Sequence, residues 1–405
     1  MSLQYLRTQA IIRGLCRAFN LFSTSFVVPP HCACLQMRLA RQACLPKLQR
    51  RQACLPTRQA QTDVILSAAQ RSRNILGISK VSIIILFLSI GAITATAQNP
   101  DRGDTRVVVI ADMNESYGST HYDKYVDSTL VWVERWKPDA ILTAGDHIAG
   151  QSLDLDEENL WAMWEAFDEI ITKPIYDLGI PFGVTMGNHD ASGSSTFDHE
   201  REIAESYWTD HPHHLDMVND ENYPFYYSFT VDDLFIISWD ASYSEISEQE
   251  LNWVVDQLGS SKADEASHRI LTGHLPFFAV AEGRNLEGEI LRNAHSLFES
   301  VRDAGLDIYI SGHHHAYYPA KKDGVLLLSA GAIGSGPRPL LDSDLPARRT
   351  ITIVDFFESD SSYTITTYDI EDGLKKIDPN ELPEQIKGIN NTITRYDLAP
   401  KDQVD

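Results

Sequence analysis

Five apolar runs in this chain end on side chains that can donate oxygen or nitrogen to a cation. VVVIA leads into Asp112, ILTAG into Asp146, and FGVTMG into Asn188, His189 and Asp190. RILTG leads into His274, and IYISG into His313, His314 and His315. Four of the five have Gly at the turn, which lets the chain bend sharply and bring the next side chain over the sheet edge. Singly, each signal is ordinary: an Asp after a strand forms turns or caps helices, and a lone His is more often structural. Together they offer carboxylate, amide and imidazole donors, a mixture suited to divalent transition metals.

For these residues to meet, the runs must be strands whose carboxyl ends share one edge, where ligands gather in open α/β sheets. The sequence alternates accordingly from about Thr105. β-rich runs are expected at Val107–Ala111, Ala140–Ala144, Phe182–Met186, Tyr226–Val231, Leu234–Trp239, Arg269–Thr272 and Asp307–Ser311. Leu326–Ala330, Thr350–Phe356 and Tyr363–Tyr368 follow them. Helices are expected over Lys124–Arg135, Asn159–Ile171, Ser247–Leu258 and Glu289–Ala304, the third opened by a capping box of Ser247 and Glu250. Alternation up to about residue 311, then mostly β, predicts an α/β sandwich.

In this order the motifs resemble the calcineurin-like metallophosphoesterases: Asp112-Met113-Asn114, Gly145-Asp146, Gly187-Asn188-His189-Asp190, Gly273-His274 and Gly312-His313-His314-His315. The resemblance covers roughly residues 105–356, and Tyr226–Leu258 is similar to the branch of purple-acid-phosphatase-like and cyclic-nucleotide-phosphodiesterase-like enzymes. It implies a four-layer α/β/β/α sandwich of two mixed sheets and two divalent or mixed-valence metal ions of the Mn, Fe or Zn class. One ion is expected on Asp112, Asn114, Asp146 and His315, the other on Asp146, Asn188, His274 and His313, with Asp146 bridging. His189 is expected beside the phosphoryl group with Asp190 orienting it, and Asn188 and His189 are expected to bind substrate; apart from the resemblance, Arg338 follows a Gly-rich turn and is a candidate to bind the substrate phosphate, with an ordinary surface Arg as the alternative. The implied reaction is hydrolysis of a small phosphomonoester or phosphodiester by a hydroxide that the two metals activate. Asn114 stands where many family members have His, and its neutral carbonyl is the weaker donor. Ala149 occupies the position where purple acid phosphatases place a Tyr, so no tyrosinate-to-iron colour is expected. The alternative is a metal-binding scaffold that kept the fold and lost turnover; His189 and Asp190 weigh against it, since a scaffold needs neither.

Weaker features stay outside this set. His211, His213 and His214 read as a solvated loop, and Asp154, Asp156 and Glu158 as an acidic helix start without the glycine of a calcium loop. Tyr117 and Tyr122 are candidates to close over the site or simply to pack as aromatics, and His147 and His314 to line it or to back its ligands.

Charge divides the chain. Residues 1–98 hold twelve basic residues and one acidic, Asp63, a net +11; the remainder, with 22 basic and 56 acidic residues, carries −34 of an overall −23. So acidic a body lacks the basic surface that releases counterions from nucleic acid, and no such partner is expected. The partner expected is a small phosphorylated substrate. All five Cys (Cys16, Cys32, Cys34, Cys44, Cys54) precede residue 55, so the body uses neither disulfide nor thiolate. Residues 71–97 combine a basic stretch, the apolar run Val81–Ile93 and Ala95-Thr96-Ala97, the order of a signal peptide cleaved near Ala97 for export. An uncleaved membrane anchor over residues 81–97 is the alternative. Residues 1–70, where RQACLP occurs twice, read as a misassigned start or a disordered extension. Residues 98–370 form the expected phosphoesterase domain, and 371–405 a polar, peripheral tail.

Overall fold

A computed structural model describes residues 100–211, 214–334 and 336–398. The extension over 1–70 and the signal or anchor segment over 71–97 lie outside the described residues. Among those described, no helix is long and apolar enough to cross a membrane.

Two mixed sheets form the centre. The first runs β13-β12-β11-β1-β2-β3, in which β11 is Thr350–Phe357, and the second β14-β15-β9-β10-β8-β7-β6-β5-β4. The central strands β1 (Thr105–Ile110), β2 (Ala140–Thr143), β6 (Leu234–Ser238), β8 (Ile308–Ser311) and β10 (Val325–Ala330) are buried along their whole length, as strands covered on both faces must be. β1 and β2 are parallel, as are β6, β7 (His268–Thr272), β8 and β10. The site-bearing ends of each parallel set therefore point one way. The sheets face each other: Thr185 Oγ1, just past β3 (Phe182–Gly183), lies 3.0 Å from Ser238 Oγ and 2.7 Å from Thr272 Oγ1 across the gap.

Helices cover the outer faces. Trp136 of α1 (Lys124–Trp136) stacks on Tyr368 of β12 (Ser362–Asp369) at 5.4 Å. α2 (Glu157–Phe167), capped by Asp156 and Asn159, passes through a π-turn (Asp168–Thr172) into α3 (Lys173–Asp177). The single-turn α4 (Asn188–Ala191) is followed by α5 (Asp198–Asp210), whose Trp208 packs with Phe167 and Phe182. On the second sheet, Trp253 of α6 (Glu248–Leu258) meets Tyr226 of β5 (Tyr226–Val231). The short α7 (Ser261–Glu265) follows, and Phe298 of α8 (Ala294–Asp303) meets Phe277. These layers make the α/β/β/α sandwich expected.

Several elements differ from expectation. The third strand is only Phe182–Gly183, because Thr185 and Met186 already turn toward Gly187. The last helix begins at Ala294, not Glu289; Asn293 before it has a left-handed backbone (φ 55°), and Glu289 stays on a loop. β4 (Asp216–Asn222) is an edge strand with no apolar face, and α5 was not anticipated. Residues 371–398 of the tail are not peripheral. β13 (Lys375–Lys376) pairs with β12, while β14 (Gln385–Lys387) and β15 (Thr392–Arg395) extend the second sheet beside β9 (Tyr317–Lys322).

Glu250 of α6 gives the fold a pH dependence. Burial, then the neighbouring Asp240 carboxylate, push its acid up to about 8; Arg201, paired with Asp240 at 2.6 Å, and the Asp240 N–H donating to Glu250 Oε1 oppose this. The ring of Tyr226 also faces it. Between the ordinary glutamate value and about 8, the folded state holds a proton that the unfolded chain releases. This stability is therefore complete below the ordinary value and is lost as pH rises through that window, by about 1 kcal/mol per pH unit. Glu250→Gln is expected to flatten the fall between pH 5 and 8, read by denaturant unfolding at each pH; parallel curves for both proteins would refute the assignment.

Candidate metal centre

The five strand ends do converge. Asp112 follows β1, Asp146 follows β2, Asn188 and His189 follow β3 in α4, His274 follows β7, and His313 and His315 follow β8. All are buried except His189, which is partly exposed.

The strand ends turn in a way that sequence reasoning did not anticipate. Besides Gly145 (φ 89°), the residues with left-handed backbones there are the donors themselves: Asp112 (φ 52°), Asp146 (59°), His313 (62°) and His315 (52°). Such conformations are costly for residues with a Cβ and collect at functional sites. Two other glycines, Gly187 and Gly312, serve close approach. A Cβ on Gly187 would collide with the Asp146 carboxylate and backbone, and one on Gly312 would sit 2.5 Å from the Ala144 carbonyl and 2.9 Å from Asp112 Oδ2.

Three imidazoles are anchored from behind. His274 Nδ1–H donates to the Ala144 carbonyl at 2.7 Å, and His315 Nδ1–H to the Gly336 carbonyl at 3.0 Å, so both present Nε2 inward. His274 Nε2 then lies 3.3 Å from Asp146 Oδ1, and His315 Nε2 3.3 Å from Asp112 Oδ1. His313 is reversed: its Nε2 meets Glu289 Oε2 at 2.8 Å and its Nδ1 faces inward, 2.9 Å from Asn188 Oδ1 and 3.2 Å from His274 Nε2. Asn188 turns its oxygen inward because its NH₂ donates to Gln151 Oε1 at 2.6 Å.

Electrostatics follow the geometry. Burial would raise the Asp146 carboxyl, but His274 and His189 hold it below the ordinary carboxylate range. Burial would lower His274, but Asp146 lifts it to about 9; His315 is likewise raised, against burial, by Asp112. Burial keeps His313 neutral, down to about 3. Hydrogen bonding to His313, and then to Arg284, holds Glu289 at about 2.

These residues fit a divalent cation. Asp112, Asp146 and His274 each place a donor atom within 4.8 Å of the others. Asp112 Oδ2 is buried without a hydrogen-bond partner, which is costly for a carboxylate unless a cation is bound. The Nδ1 lone pair of neutral His313 faces the carbonyl oxygen of Asn188, two acceptors at 2.9 Å that a shared cation would reconcile.

Other predicted residues fall at varied distances. Asn114 is buried beside Asp146, with its NH₂ donating to the Ile148 carbonyl at 3.0 Å. His189 Nδ1–H donates to the Gly150 carbonyl at 2.9 Å, which aims Nε2 toward Asp146 Oδ2, 4.0 Å away. Arg338 stands beside Arg284, its Nε buried without a hydrogen-bond partner. Tyr117 lies over the His189 ring at 5.2 Å, whereas Tyr122 donates to the His147 carbonyl at 2.8 Å.

Asp190 is a correction. It does not orient His189. As the third residue of α4 its carboxylate turns back, accepting N–H bonds from Gly187 and Asp146 (2.8 Å each), His147 (2.6 Å) and Ile148 (2.9 Å), and it pairs with the His147 ring at 2.8 Å. It shapes the Asp146 turn, and the Gly150 carbonyl does the orienting. His147 backs the site instead of lining it: its ring pairs with Asp190 and is enclosed by Trp164, Phe167 and Trp208. Glu289, Arg284 and Gln151 went unnoticed in the sequence, since none sits in a motif.

A sequence model of calcineurin-like phosphoesterases matches residues 105–317, more than half of the chain. The chain belongs to the calcineurin-like phosphoesterase family. No curated protein matches it significantly. Purple acid phosphatase PPD1 from yellow lupin (Lupinus luteus) seeds is similar in fold, with a TM-score of 0.51 at 15% identity, covering 68% of this chain and 52% of the lupin chain. A dimetal phosphatase from Danio rerio aligns at 12% identity with a TM-score of 0.45, covering 65% of this chain and 95% of that one. As a metallophosphoesterase, this chain is a metal-dependent hydrolase of phosphoric esters.

Proposed function

We propose that this metallophosphoesterase hydrolyses a small phosphomonoester or phosphodiester at a centre of two divalent ions. Asp112, Asp146, His315 and Asn114 would hold one, and Asp146, Asn188, His274 and His313 the other. The observation carrying this reading is the convergence of five strand ends on one buried donor cluster, with Asp146 at its middle and Asp112 Oδ2 left unpartnered.

Ions bound there would polarise the phosphoryl group and acidify a water, the chemistry that two-metal hydrolases share. The protein's own part is orientation and charge. His274 and His315 keep fixed ring orientations through their backbone acceptors, so the rings need not turn when Nε2 gives up its proton to a cation. His189, anchored at Nδ1, offers Nε2 to a phosphoryl oxygen or to the departing oxygen as a proton donor. Arg338, its Nε unpartnered, would add charge to bind the substrate phosphate.

The test is a reload experiment. The purified protein, stripped with chelator, is expected to lose hydrolysis of an aryl phosphomonoester or aryl phosphodiester, and to regain it with Mn, Fe or Zn. The preferred ester names the substrate class. Failure of every metal to restore turnover would refute the reading in favour of a scaffold.

A further inference from the structure

We propose that Glu289, held in place by Arg284, is the positioning residue that fixes His313 with Nδ1 turned to the metal centre. The inference rests on the metal-centre reading above. His274 and His315 each anchor the far ring nitrogen on a backbone carbonyl. His313 has its ring reversed, and the acceptor at its far nitrogen is a side chain, Glu289 Oε2 at 2.8 Å. A carboxylate behind a ligating imidazole fixes the tautomer and raises the basicity of the inward nitrogen.

Glu289 is itself braced on several sides. Arg284 pairs with the same Oε2. Its main-chain carbonyl accepts the Nε2–H of His314 at 2.9 Å, while His314 Nδ1 accepts the Val280 N–H at 3.2 Å. The middle histidine of the triplet thus points away from the centre and holds the loop whose side chain holds its neighbour. The C-terminal segment clasps the loop from outside: Asn285 Oδ1 accepts the Ile389 N–H at 2.7 Å, and Asn390 Nδ2 donates to the Phe277 carbonyl at 2.8 Å. A loop so braced suits a function of position, and placing Glu289 on it explains why the chain spends a partly buried Arg and Glu beside a ligand.

The test compares Glu289→Ala, Glu289→Gln and Arg284→Gln with the parent in the full chain. Calorimetric titration with Mn or Zn measures metal stoichiometry and affinity, and ¹⁵N NMR of the metal-free proteins reads the His313 tautomer. Glu289→Ala is expected to weaken one of the two ions by about 10–100-fold and to mix the His313 tautomers. Glu289→Gln, whose Oε1 still accepts the Nε2–H, is expected to recover most of both. Arg284→Gln, which leaves Glu289 in place but loose, is expected to show a smaller loss, and it carries the test if Glu289→Ala does not fold. Parental affinity and tautomer in Glu289→Ala overturn the proposal and leave the metal centre standing, as do equal losses in the Ala and Gln variants. A parent protein that binds no divalent ion overturns the metal centre and this proposal together.

Discussion

Asp146→Asn is expected to lower kcat/KM by at least about 10³-fold, a loss of roughly 4 kcal/mol of transition-state stabilisation, and to reduce metal content from two ions per chain to one or none. Asn is the informative replacement because it tolerates the left-handed backbone (φ 59°) that Asp146 adopts, so the turn survives and the charge alone is removed. The carboxylate sits between both proposed ions: Oδ1 accepts the His189 N–H at 3.0 Å and faces His274, while Oδ2 faces the His189 ring. Without it, His274 loses the charge that lifts it to about 9 and becomes neutral near pH 7. That should partly spare stability, since a neutral buried imidazole needs no counter-ion. Thermal unfolding of the metal-free variant near that of the parent, with metal and turnover lost, would separate site from scaffold. A variant retaining two ions and activity within tenfold would remove Asp146 from the bridging role.

The metal centre was legible in the sequence because its geometry depends on strand direction. Apolar runs ending on donors become one cluster once β1 and β2, and likewise β6, β7 and β8, run parallel, and parallel pairing was implied by the helices between the runs. What could not be read has definite physical causes. β4 pairs through its backbone and sets one partly buried apolar side chain, Met217, among mostly polar ones, so hydrophobic periodicity says nothing of it. The C-terminal strands are two to four residues long, too short for any period. Asp190 was expected, from the family resemblance, to orient His189, whereas a residue three positions past a helix cap turns its carboxylate back over the first turn. Glu289 lies twenty-four residues before its partner His313, and only the folded loop brings them together.

His189→Ala is the complementary experiment, because it should remove turnover while sparing the metals. His189 lies outside the buried donor cluster: its Nε2 is 4.0 Å from Asp146 Oδ2, and its side chain is 19% exposed. Its anchoring acceptor is the Gly150 carbonyl, and Gly150 N–H in turn donates to the His189 carbonyl at 3.0 Å, so ring and backbone are tied to the same residue. A ring held this way meets the substrate without reorganising, the condition under which one donor contributes about 10²–10⁴-fold to rate. Turnover is expected to fall by that factor, with metal stoichiometry and affinity unchanged in the same titration used for Glu289. The backbone N–H that Asp146 Oδ1 accepts remains in the alanine variant, so the Asp146 turn has no reason to relax. Loss of an ion in His189→Ala would instead place this imidazole among the ligands and reassign the proton-donating role to another group.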